Sequence, residues 1–310
     1  MKFKQAKLIK KMPGIKNFDE IDQNTPVLIA GQTASGKSQL ALEIAEKHGG
    51  IIINADAIQV YKNWRILTAR PSSVDEAKIK HKLYGHIDRA TDYSVGTWVK
   101  EVNEILSSKL RPIIVGGTGL YFSALTNGLV DIPKISDAIR LEANRKIKRN
   151  GFESLVQEID QETVQKIDTN NPMRVQRAWE VLRSTGQGLN SWHRATPKPT
   201  LDLSGCKALL VDGEVSLINN RINNRFDQMI EKGLIQEAKN NLATWNPLHP
   251  SSKAIGAYEL IAYLNNEISI DQLREQIVIA TRQYAKRQRT WFRSKMKSWE
   301  SIVLNKKDLL

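Results

Sequence analysis

The sequence predicts an α/β fold in which a parallel sheet is flanked by helices and interrupted by an all-helical insertion domain. Near the start of the chain, apolar runs suited to buried strands alternate with helical patterns, which is typical of βαβ units in a mainly parallel sheet. The strand signals stop near residue 123 and return after residue 200. A glycine-rich phosphate-binding motif between the first strand and the first helix makes the predicted sheet P-loop NTPase-like.

The first predicted unit is a strand, a loop and a helix. Residues 27–30, VLIA, form a buried strand, and residues 31–38, GQTASGKS, fit the pattern G-x-x-x-x-G-K-[ST]. In this motif backbone N–H groups hold phosphate oxygens at a helix N-terminus, a lysine neutralises their charge and a hydroxyl binds Mg²⁺. The helix that follows has an apolar face made of Leu40, Ala41, Ile44 and Ala45. The predicted diphosphate ligands are Gly31, Gln32, Thr33, Ala34, Ser35, Gly36, Lys37 and Ser38, and Ser38 is also the predicted Mg²⁺ ligand.

Two further strand patterns end in polar or glycine-rich turns. Residues 49–56, GGIIINAD, predict a strand that ends at Asp56, and residues 111–119, RPIIVGGTG, predict one that ends in a glycine turn with Thr118. Because ligands of parallel sheets bind at the carboxyl ends of the strands, we expect Asp56 and Thr118 to face the phosphate-binding loop. Asp56 would then hold Mg²⁺ or water, or act as a general base, and a strand-end cap is the alternative. For Thr118 the alternative is a tight turn.

The segment 123–200 predicts an insertion built from helices. Ser136 and Gly151 mark the start and stop of one helix, and Asn171 and Gly186 those of another, which has a proline in its first turn. A strand pattern returns at CKALLVD, and the remainder is predicted to be helical apart from one loop. We therefore predict three parts: a basic N-terminal tail at 1–25, an α/β core at 26–122 and 201–310, and a helical insertion at 123–200.

The second helix of the insertion carries two arginines on one side. Its predicted buried stripe consists of Val175, Ala178, Trp179 and Leu182. Arg174 and Arg177 lie about 60° apart on the other side, where they suit two neighbouring phosphates. On an isolated helix, an ordinary solvated face is the favoured interpretation.

The positive charge of the chain is concentrated in two segments. The net charge is +13, and residues 1–17 carry six lysines while residues 281–297 carry seven lysines or arginines, both without acids. In the second segment, cations recur at steps of three or four residues and predict a continuous stripe on one helix face, made of Arg282, Lys286, Arg289, Arg293 and Lys297. Such a stripe favours a polyanion as partner. We interpret Tyr284 and Trp291 as core anchors.

Several classes of protein and site are excluded by composition. The single cysteine, Cys206, allows neither a disulfide framework nor a cysteine-rich zinc site. The histidines lack metal-binding spacing, and no G-x-S-x-G nucleophile motif occurs. Neither a signal sequence nor a membrane span is recognisable. We therefore expect a soluble, cytoplasmic monomer with no membrane partner.

Seven stretches share their order and approximate spacing with one known family: GQTASGKS, NADAIQVYKNWRILTARP, YSVGTW, PIIVGGTGLYF, NNPMRVQRAWEV, RINNRFDQMI and TRQYAKRQRTWFR. Over about residues 26–295 the chain resembles the tRNA dimethylallyltransferases. The resemblance implies transfer of the dimethylallyl group from dimethylallyl diphosphate to N6 of adenine 37, beside the anticodon of tRNA, with release of diphosphate and with Mg²⁺ as cofactor. The insertion resembles the mobile domain with which this family clamps the anticodon stem-loop.

The resemblance also assigns roles to individual residues. The implied catalytic residues are Asp56 as the base, Thr118, and Arg225 near the reaction centre. The implied tRNA-binding residues are Asp56, Ala57, Ile58 and Gln59 around a flipped-out adenine, together with Thr118, Arg140, Met173, Arg174, Val175, Gln176, Arg177, Arg282, Lys286, Arg287 and Gln288.

Three departures from the family pattern stand out. Gln32 replaces a proline common in the loop and is expected to loosen it, Leu67 replaces a glycine, and Ala257–Tyr258 replaces a Tyr-Lys pair. Three alternative functions remain open from the residues alone: a nucleotide kinase, a prenyltransferase acting on free adenine nucleotides, and a non-catalytic RNA-binding P-loop protein. The basic stripe argues against the kinase, because a mononucleotide needs no such surface.

Overall fold

The computed structural model describes residues 22, 24–107 and 110–304, so nearly all of the predicted basic tail at 1–25 lies outside the described residues. The described strands are β1 (Val27–Gly31), β2 (Ile51–Asn54), β3 (His81–Lys82), β4 (Pro112–Gly116), β5 (Lys207–Gly213) and β6 (Glu300–Leu304). They form one sheet in the order β3-β2-β4-β1-β5-β6. All its pairs are parallel, which confirms the predicted fold class.

Helices make up most of the remaining described chain. Their bounds are α1 (Lys37–His48), α2 (Ser73–Lys78), α3 (Val95–Leu106), α4 (Gly119–Asn127), α5 (Asp137–Asn150), α6 (Glu153–Val156), α7 (Gln161–Val164), α8 (Pro172–Thr185), α9 (Leu189–Arg194), α10 (Val215–Glu231), α11 (Leu234–Leu242), α12 (Ala257–Leu264) and α13 (Ile270–Lys295). Short 3₁₀ turns occupy Leu203–Gly205 and Pro250–Lys253. Within the described ranges, no helix has the length and apolar character needed to cross a bilayer.

The middle of the sheet is buried because its strands are continuous apolar runs. Every residue of β1, β2 and β4 is buried, as expected for parallel strands with both faces covered. The predicted apolar face of α1 is confirmed, since Leu40, Ala41, Ile44 and Ala45 pack in the cluster that includes Val27, Ile29 and Val115. This packing fixes α1 relative to β1, so the loop between them is held at the carboxyl edge of the sheet.

The chain divides into two compact units. One consists of Met1–Ser123 and Leu201–Leu310, and the other of Ala124–Thr200. The second unit has its own apolar core, which includes Ala143, Leu155, Val175 and Trp179. The predicted helix starts there are confirmed: Ser136 accepts a hydrogen bond from the Ile139 N–H, and Asn171 caps α8 with a proline in its first turn.

Some predicted elements differ from the structure. The remainder after β5 is not wholly helical, because β6 pairs with β5 at the edge of the sheet, and the two-residue β3 was not predicted. On α8, Leu182 is only partly buried, whereas Val181 is fully buried. The buried surface of α8 therefore extends around the helix further than a single stripe, because neighbouring helices pack on more than one side of it.

Candidate active site

The phosphate-binding motif forms a loop that joins β1 to the N-terminus of α1. Gly36 has a φ of 89° at the helix cap and Ala34 a φ of 62°, so the backbone is left-handed at both positions. The Ser35 N–H and the Lys37 ammonium group both donate to the Gln32 carbonyl, at 3.2 Å each. A helix N-terminus preceded by such a turn directs backbone N–H groups and a lysine to one point, which is the geometry of an anion site.

Lys37 and Arg225 are cations in a desolvated environment. Burial lowers the pKa of the Lys37 ammonium to about 8, with Asp56 opposing the shift and Arg225 adding to it. Burial also lowers the pKa of the Arg225 guanidinium, again opposed by Asp56. Both groups thus lack sufficient negative charge around them. A diphosphate bound here would supply that charge and stabilise both cations.

Asp56 is held by the residue that ends β2. The strand ends at Asn54, two residues before the predicted end. The side-chain amide of the buried Asn54 accepts from the Asp56 N–H and donates to the Asp56 carbonyl, both at 2.9 Å. The backbone carbonyl of Asn54 accepts from the Trp98 indole N–H at 2.7 Å. The Asp56 carboxylate accepts from the Ile58 N–H at 3.1 Å. These contacts fix the backbone at Asp56 and the direction of its carboxylate.

Thr118 lies in the turn that follows β4. Its hydroxyl accepts from the Ala57 N–H at 2.9 Å, and its N–H donates to the Ala55 carbonyl at 3.1 Å. Gly116 has no space for a side chain, because a Cβ there would lie 2.0 Å from the Ala55 carbonyl oxygen. The structure therefore brings Thr118 next to the Asp56 loop, as expected, and gives its hydroxyl a structural contact there.

Arg225 approaches the phosphate-binding loop from α10. Its guanidinium donates to the Thr33 hydroxyl at 3.2 Å and to the Thr68 carbonyl at 3.4 Å. The Gln59 side-chain amide donates to the same Thr68 carbonyl at 2.9 Å. Gln59 and Arg225, both predicted site residues, are therefore held by the turn that follows Trp64.

Lys37, Asp56, Gln59 and Arg225 line a cavity of about 530 Å³, whereas Thr118 is not among its lining residues. Its charged lining consists of Lys37, Asp56, Arg225, Lys253 and Arg287, and Ser38 is one of its polar residues. Its apolar lining comes from Ile58, Leu67, Ile222, Phe226, Met229, Ile255, Ile277 and Val278. A cavity with these two kinds of lining suits a ligand that combines phosphate with a hydrocarbon group.

Gln288 of α13 connects two loops of the site. Its side-chain oxygen accepts from the Thr33 N–H at 2.8 Å, and its amide nitrogen donates to the Gly117 carbonyl at 2.9 Å. Only 7% of Gln288 is exposed. It was expected among the tRNA contacts, but the structure gives it a buried role between the phosphate-binding loop and the Thr118 turn. Sequence spacing could not reveal this contact, because its partners lie far away along the chain.

Gln32 is anchored by a charged residue at the end of β5. Its amide nitrogen donates to Asp212 at 3.1 Å, and Arg293 donates to the other carboxylate oxygen of Asp212 at 3.1 and 2.8 Å. The expectation that glutamine at this position slightly loosens the loop, compared with proline, stays a prediction. Its side chain ties the loop to β5 and, through Asp212, to α13.

The predicted cationic stripe on α13 is interrupted. Arg282 donates to the Asn223 side chain at 3.0 Å, Arg293 is paired with Asp212, and Lys297 lies beyond the helix end at Lys295. Lys286 and Arg287 are exposed, while Arg289 is half-buried.

The two aromatic residues of this segment differ in environment. Tyr284 lines the cavity, so its interpretation as a core anchor is incomplete. Burial, with Asp56 adding to it, raises the pKa of the Tyr284 hydroxyl. Trp291 packs over Gly119, where a Cβ would lie 2.1 Å from its ring.

In the second compact unit, three predicted tRNA-binding residues are open to solvent. Arg140 on α5 is exposed, Met173 at the start of α8 is 75% exposed, and Arg174 lies 4.0 Å from the Asp168 carboxylate with 60% of its side chain exposed. A loose ion pair of this kind on the surface contributes little to stability, so it leaves Arg174 available to a phosphate.

The other three predicted residues of α8 are less accessible. Val175 is fully buried in the core of the unit, so its side chain packs rather than contacts RNA. Gln176 donates to Asn144 and Glu180, at 3.0 and 2.9 Å. Burial lowers the pKa of the Arg177 guanidinium, Glu180 opposes the shift, and Arg140 adds to it. Arg140 and Arg177 therefore lie close enough to interact, and a phosphate beside them would reduce their mutual repulsion.

A divalent metal would find few protein ligands here. Among the residues that the structure describes, no three His, Cys, Asp or Glu side chains are grouped as a metal site. Ser38 and Asp56 line the same cavity and offer a hydroxyl and a carboxylate. This donor set fits Mg²⁺, which takes oxygen ligands and commonly retains several waters beside substrate phosphates.

Comparison with known proteins identifies a single family. The family model that matches is described as IPP transferase and covers residues 59–295. A tRNA dimethylallyltransferase of Cereibacter sphaeroides is 53% identical over 284 residues, which is 92% of this chain and 98% of the relative. A second, from a Ruegeria species, is 50% identical and covers 92% of this chain and 98% of its own.

Solved structures give the same result at lower identity. The full-length tRNA isopentenylpyrophosphate transferase of Bacillus halodurans is 28% identical, with a TM-score of 0.64 over 92% of this chain and 93% of the other. A eukaryotic dimethylallyltransferase acting on tRNA is 25% identical, with a TM-score of 0.76 over 90% of this chain and 73% of the other.

Proposed function

The chain belongs to the IPP transferase family, and on this premise we propose that it transfers the dimethylallyl group of dimethylallyl diphosphate to N6 of adenine 37, beside the anticodon of tRNA. Its products are N6-dimethylallyladenosine in tRNA and free diphosphate. Two relatives that are about 50% identical to this chain are named tRNA dimethylallyltransferase, and the match covers almost their whole length.

One observation carries the proposal: a single cavity combines a phosphate-binding loop with a carboxylate and an apolar lining. Lys37, Arg225 and the loop N–H groups would bind the diphosphate. Apolar residues such as Phe226 and Ile277 would pack against the five-carbon chain.

The reaction replaces a C–O bond with a C–N bond. The bond between the allylic carbon and the diphosphate oxygen breaks, and its electron pair leaves with the diphosphate. The adenine N6 lone pair forms the new bond, and the proton that N6 loses passes to the Asp56 carboxylate. Because this lone pair is delocalised into the ring, the amine must be aligned and deprotonated as it reacts.

Cations in and beside the phosphate-binding loop stabilise the departing diphosphate. Charge would grow on the diphosphate as the C–O bond breaks, and Lys37 and Arg225, both desolvated by burial, would stabilise it together with the N-terminus of α1. Groups fixed in advance need no reorganisation during the reaction. Ser38 would hold Mg²⁺ there, and the metal would add positive charge beside the diphosphate.

The tRNA surface is proposed to include Lys286 and Arg287 in the first compact unit and Arg140, Arg174 and Arg177 in the second. These cations suit the phosphates of an anticodon stem-loop, because phosphate contacts position a nucleic acid without reading its sequence. Asp56, Ala57 and Ile58 are proposed to meet the extruded adenine, since enzymes that act on a base take it out of its stack. We infer a cytoplasmic location, because folded tRNA is the proposed substrate.

The test is direct transfer to tRNA. The protein is incubated with dimethylallyl diphosphate labelled in the prenyl carbon chain and with total tRNA, and the tRNA is digested to nucleosides. We expect label on N6-dimethylallyladenosine and an equal amount of released diphosphate. Label on free adenine nucleotides rather than tRNA, or phosphate transfer from ATP, would contradict the proposal.

A further inference from the structure

Glu237 makes an unusual set of contacts outside the cavity. It lies on α11 and is absent from the cavity lining. One oxygen of its carboxylate accepts from the Arg65 and Ile66 N–H groups at 2.7 and 2.8 Å, and the other accepts from the Leu67 N–H at 2.9 Å. A carboxylate that accepts three successive backbone N–H groups makes charge-assisted hydrogen bonds, which are about twice as strong as neutral ones.

A second side chain of α11 binds the backbone just before these three residues. The Asn241 amide, 6% exposed, donates to the Asn63 carbonyl at 2.9 Å. Leu234 and Ala238 pack α11 into the core that it shares with α10 and α13. Glu237 and Asn241 therefore attach the backbone of residues 63–67 to a well-packed helix.

The turn that is fastened in this way forms part of the cavity wall. Leu67, Thr68 and Ala69 line the cavity, and Ala69 has a φ of 50°, which is uncommon for a residue other than glycine. The Thr68 carbonyl receives both the Gln59 amide and the Arg225 guanidinium. A displacement of this turn would therefore move Arg225 away from Thr33 and the phosphate-binding loop.

We propose that Glu237 is a positioning residue for the reaction: its carboxylate fixes the 63–67 turn so that the Thr68 carbonyl aims Arg225 at the diphosphate. The proposal rests on the function proposed above, because it takes the anion in the cavity to be a diphosphate. Glu237 never contacts the substrate. It acts through the backbone of the turn and then through Arg225, in the way that outer residues orient the groups that touch a ligand.

The test compares Glu237→Gln with Glu231→Gln. Glutamine has nearly the shape of glutamate, but its amide nitrogen is a donor and cannot accept from the N–H groups of the turn. Glu231 is an exposed acid at the end of α10 and serves as the matched control. We expect Glu237→Gln to weaken binding of inorganic diphosphate and to lower kcat/KM for dimethylallyl diphosphate by about tenfold, with KM for tRNA unchanged. Glu231→Gln should leave all of these values unchanged.

A double-mutant cycle separates positioning from general loss of stability. In an Arg225→Ala background, Glu237→Gln should cost little further affinity for inorganic diphosphate, because the group that it positions is already gone. An equal cost in both backgrounds, or no cost in either, would overturn the proposal. Should Glu237→Gln fail to fold, Asn241→Leu removes the hydrogen bond from α11 to the Asn63 carbonyl. Its cost in affinity for inorganic diphosphate is then measured with and without Arg225→Ala.

The diphosphate measurement is independent of the proposed reaction. If the wild-type protein transfers no dimethylallyl group to tRNA, the proposed function fails. Titration calorimetry with inorganic diphosphate still decides whether Glu237 acts through Arg225.

Discussion

Lys37 is the residue whose loss most directly tests the leaving-group role of the loop. We predict that Lys37→Ala lowers the rate of transfer by about 10²- to 10³-fold, because one fixed cation facing the departing diphosphate is removed. Affinity for tRNA should change little, since Lys37 lies in the cavity lining. Single-turnover transfer and filter binding measure the two quantities. Lys47→Ala, at the exposed end of α1, is the control, and an equal loss of tRNA binding in Lys37→Ala would contradict this division of roles.

The proposed role of Asp56 as the base is tested by removing its capacity to accept a proton. We predict that Asp56→Asn retains the fold and binds both substrates, yet loses about 10²- to 10⁴-fold in kcat, because asparagine cannot accept the N6 proton. The contacts from Asn54 to the Asp56 backbone do not depend on the carboxylate, so the loop should stay in place. The measurement is single-turnover transfer at saturating substrates.

A magnesium series identifies which role Asp56 plays. If the carboxylate held Mg²⁺ instead of accepting a proton, raising the magnesium concentration would restore much of the activity of Asp56→Asn. A missing base cannot be replaced by metal. Full rescue would therefore assign Asp56 to the metal.

At this scale, the sequence revealed residues whose role is local. The phosphate-binding loop, Asp56 and Thr118 were found because a motif or a strand end marks them. Asn54, Glu237 and the buried role of Gln288 were missed, because their hydrogen-bond partners are distant backbone groups or are recognisable only when the turns are formed. Gln32 shows the same limit, since its anchor Asp212 is 180 residues away.

At the scale of elements, α13 shows what periodicity can and cannot predict. The spacing of its cations predicted one continuous face, but Lys297 lies beyond the helix end. The spacing also could not show that Asn223 and Asp212 already engage Arg282 and Arg293. Lys286 and Arg287 are exposed, and within the described residues neither forms an ion pair, although Arg287 lies over the Tyr284 ring at 5.8 Å from its centroid. Lys286 and Arg287 are therefore the better candidates for phosphate contacts.

The salt dependence of tRNA binding tests this choice of residues. We predict that Lys286→Gln lowers the slope of log affinity against log salt by about 0.7 to 0.9, the value for one lost phosphate contact. Lys239→Gln, on the exposed side of α11, should leave the slope unchanged. Binding is measured at several salt concentrations with the same tRNA. An unchanged slope for Lys286→Gln would mean that this face of α13 does not meet the RNA.

For the whole molecule, the sheet was predictable in its centre and not at its edges. β1, β2 and β4 consist mostly of apolar residues, so their burial could be predicted from their composition. The edge strands β3 and β6 are short or mixed in polarity, and only pairing with β2 and β5 makes them strands. Such pairing joins distant segments, so local patterns do not predict it.

The separate core of the second compact unit allows the two binding activities to be separated. Trp179 is 2% exposed in that core, and its indole donates to Glu158 at 2.9 Å. We predict that Trp179→Ala destabilises this unit by about 3 to 5 kcal/mol and strongly weakens binding of tRNA, because α5 and α8 no longer present Arg140, Arg174 and Arg177.

Binding of inorganic diphosphate should survive in Trp179→Ala, since every residue that lines the cavity belongs to the first unit. Filter binding measures tRNA affinity and titration calorimetry measures diphosphate affinity in the same preparation. Leu141→Ala, which removes a 53% exposed side chain from α5, is the control and should retain both. If Trp179→Ala lost its diphosphate affinity as completely as its tRNA affinity, the two units would fold as one cooperative structure, and binding of the leaving group would depend on the core of the insertion.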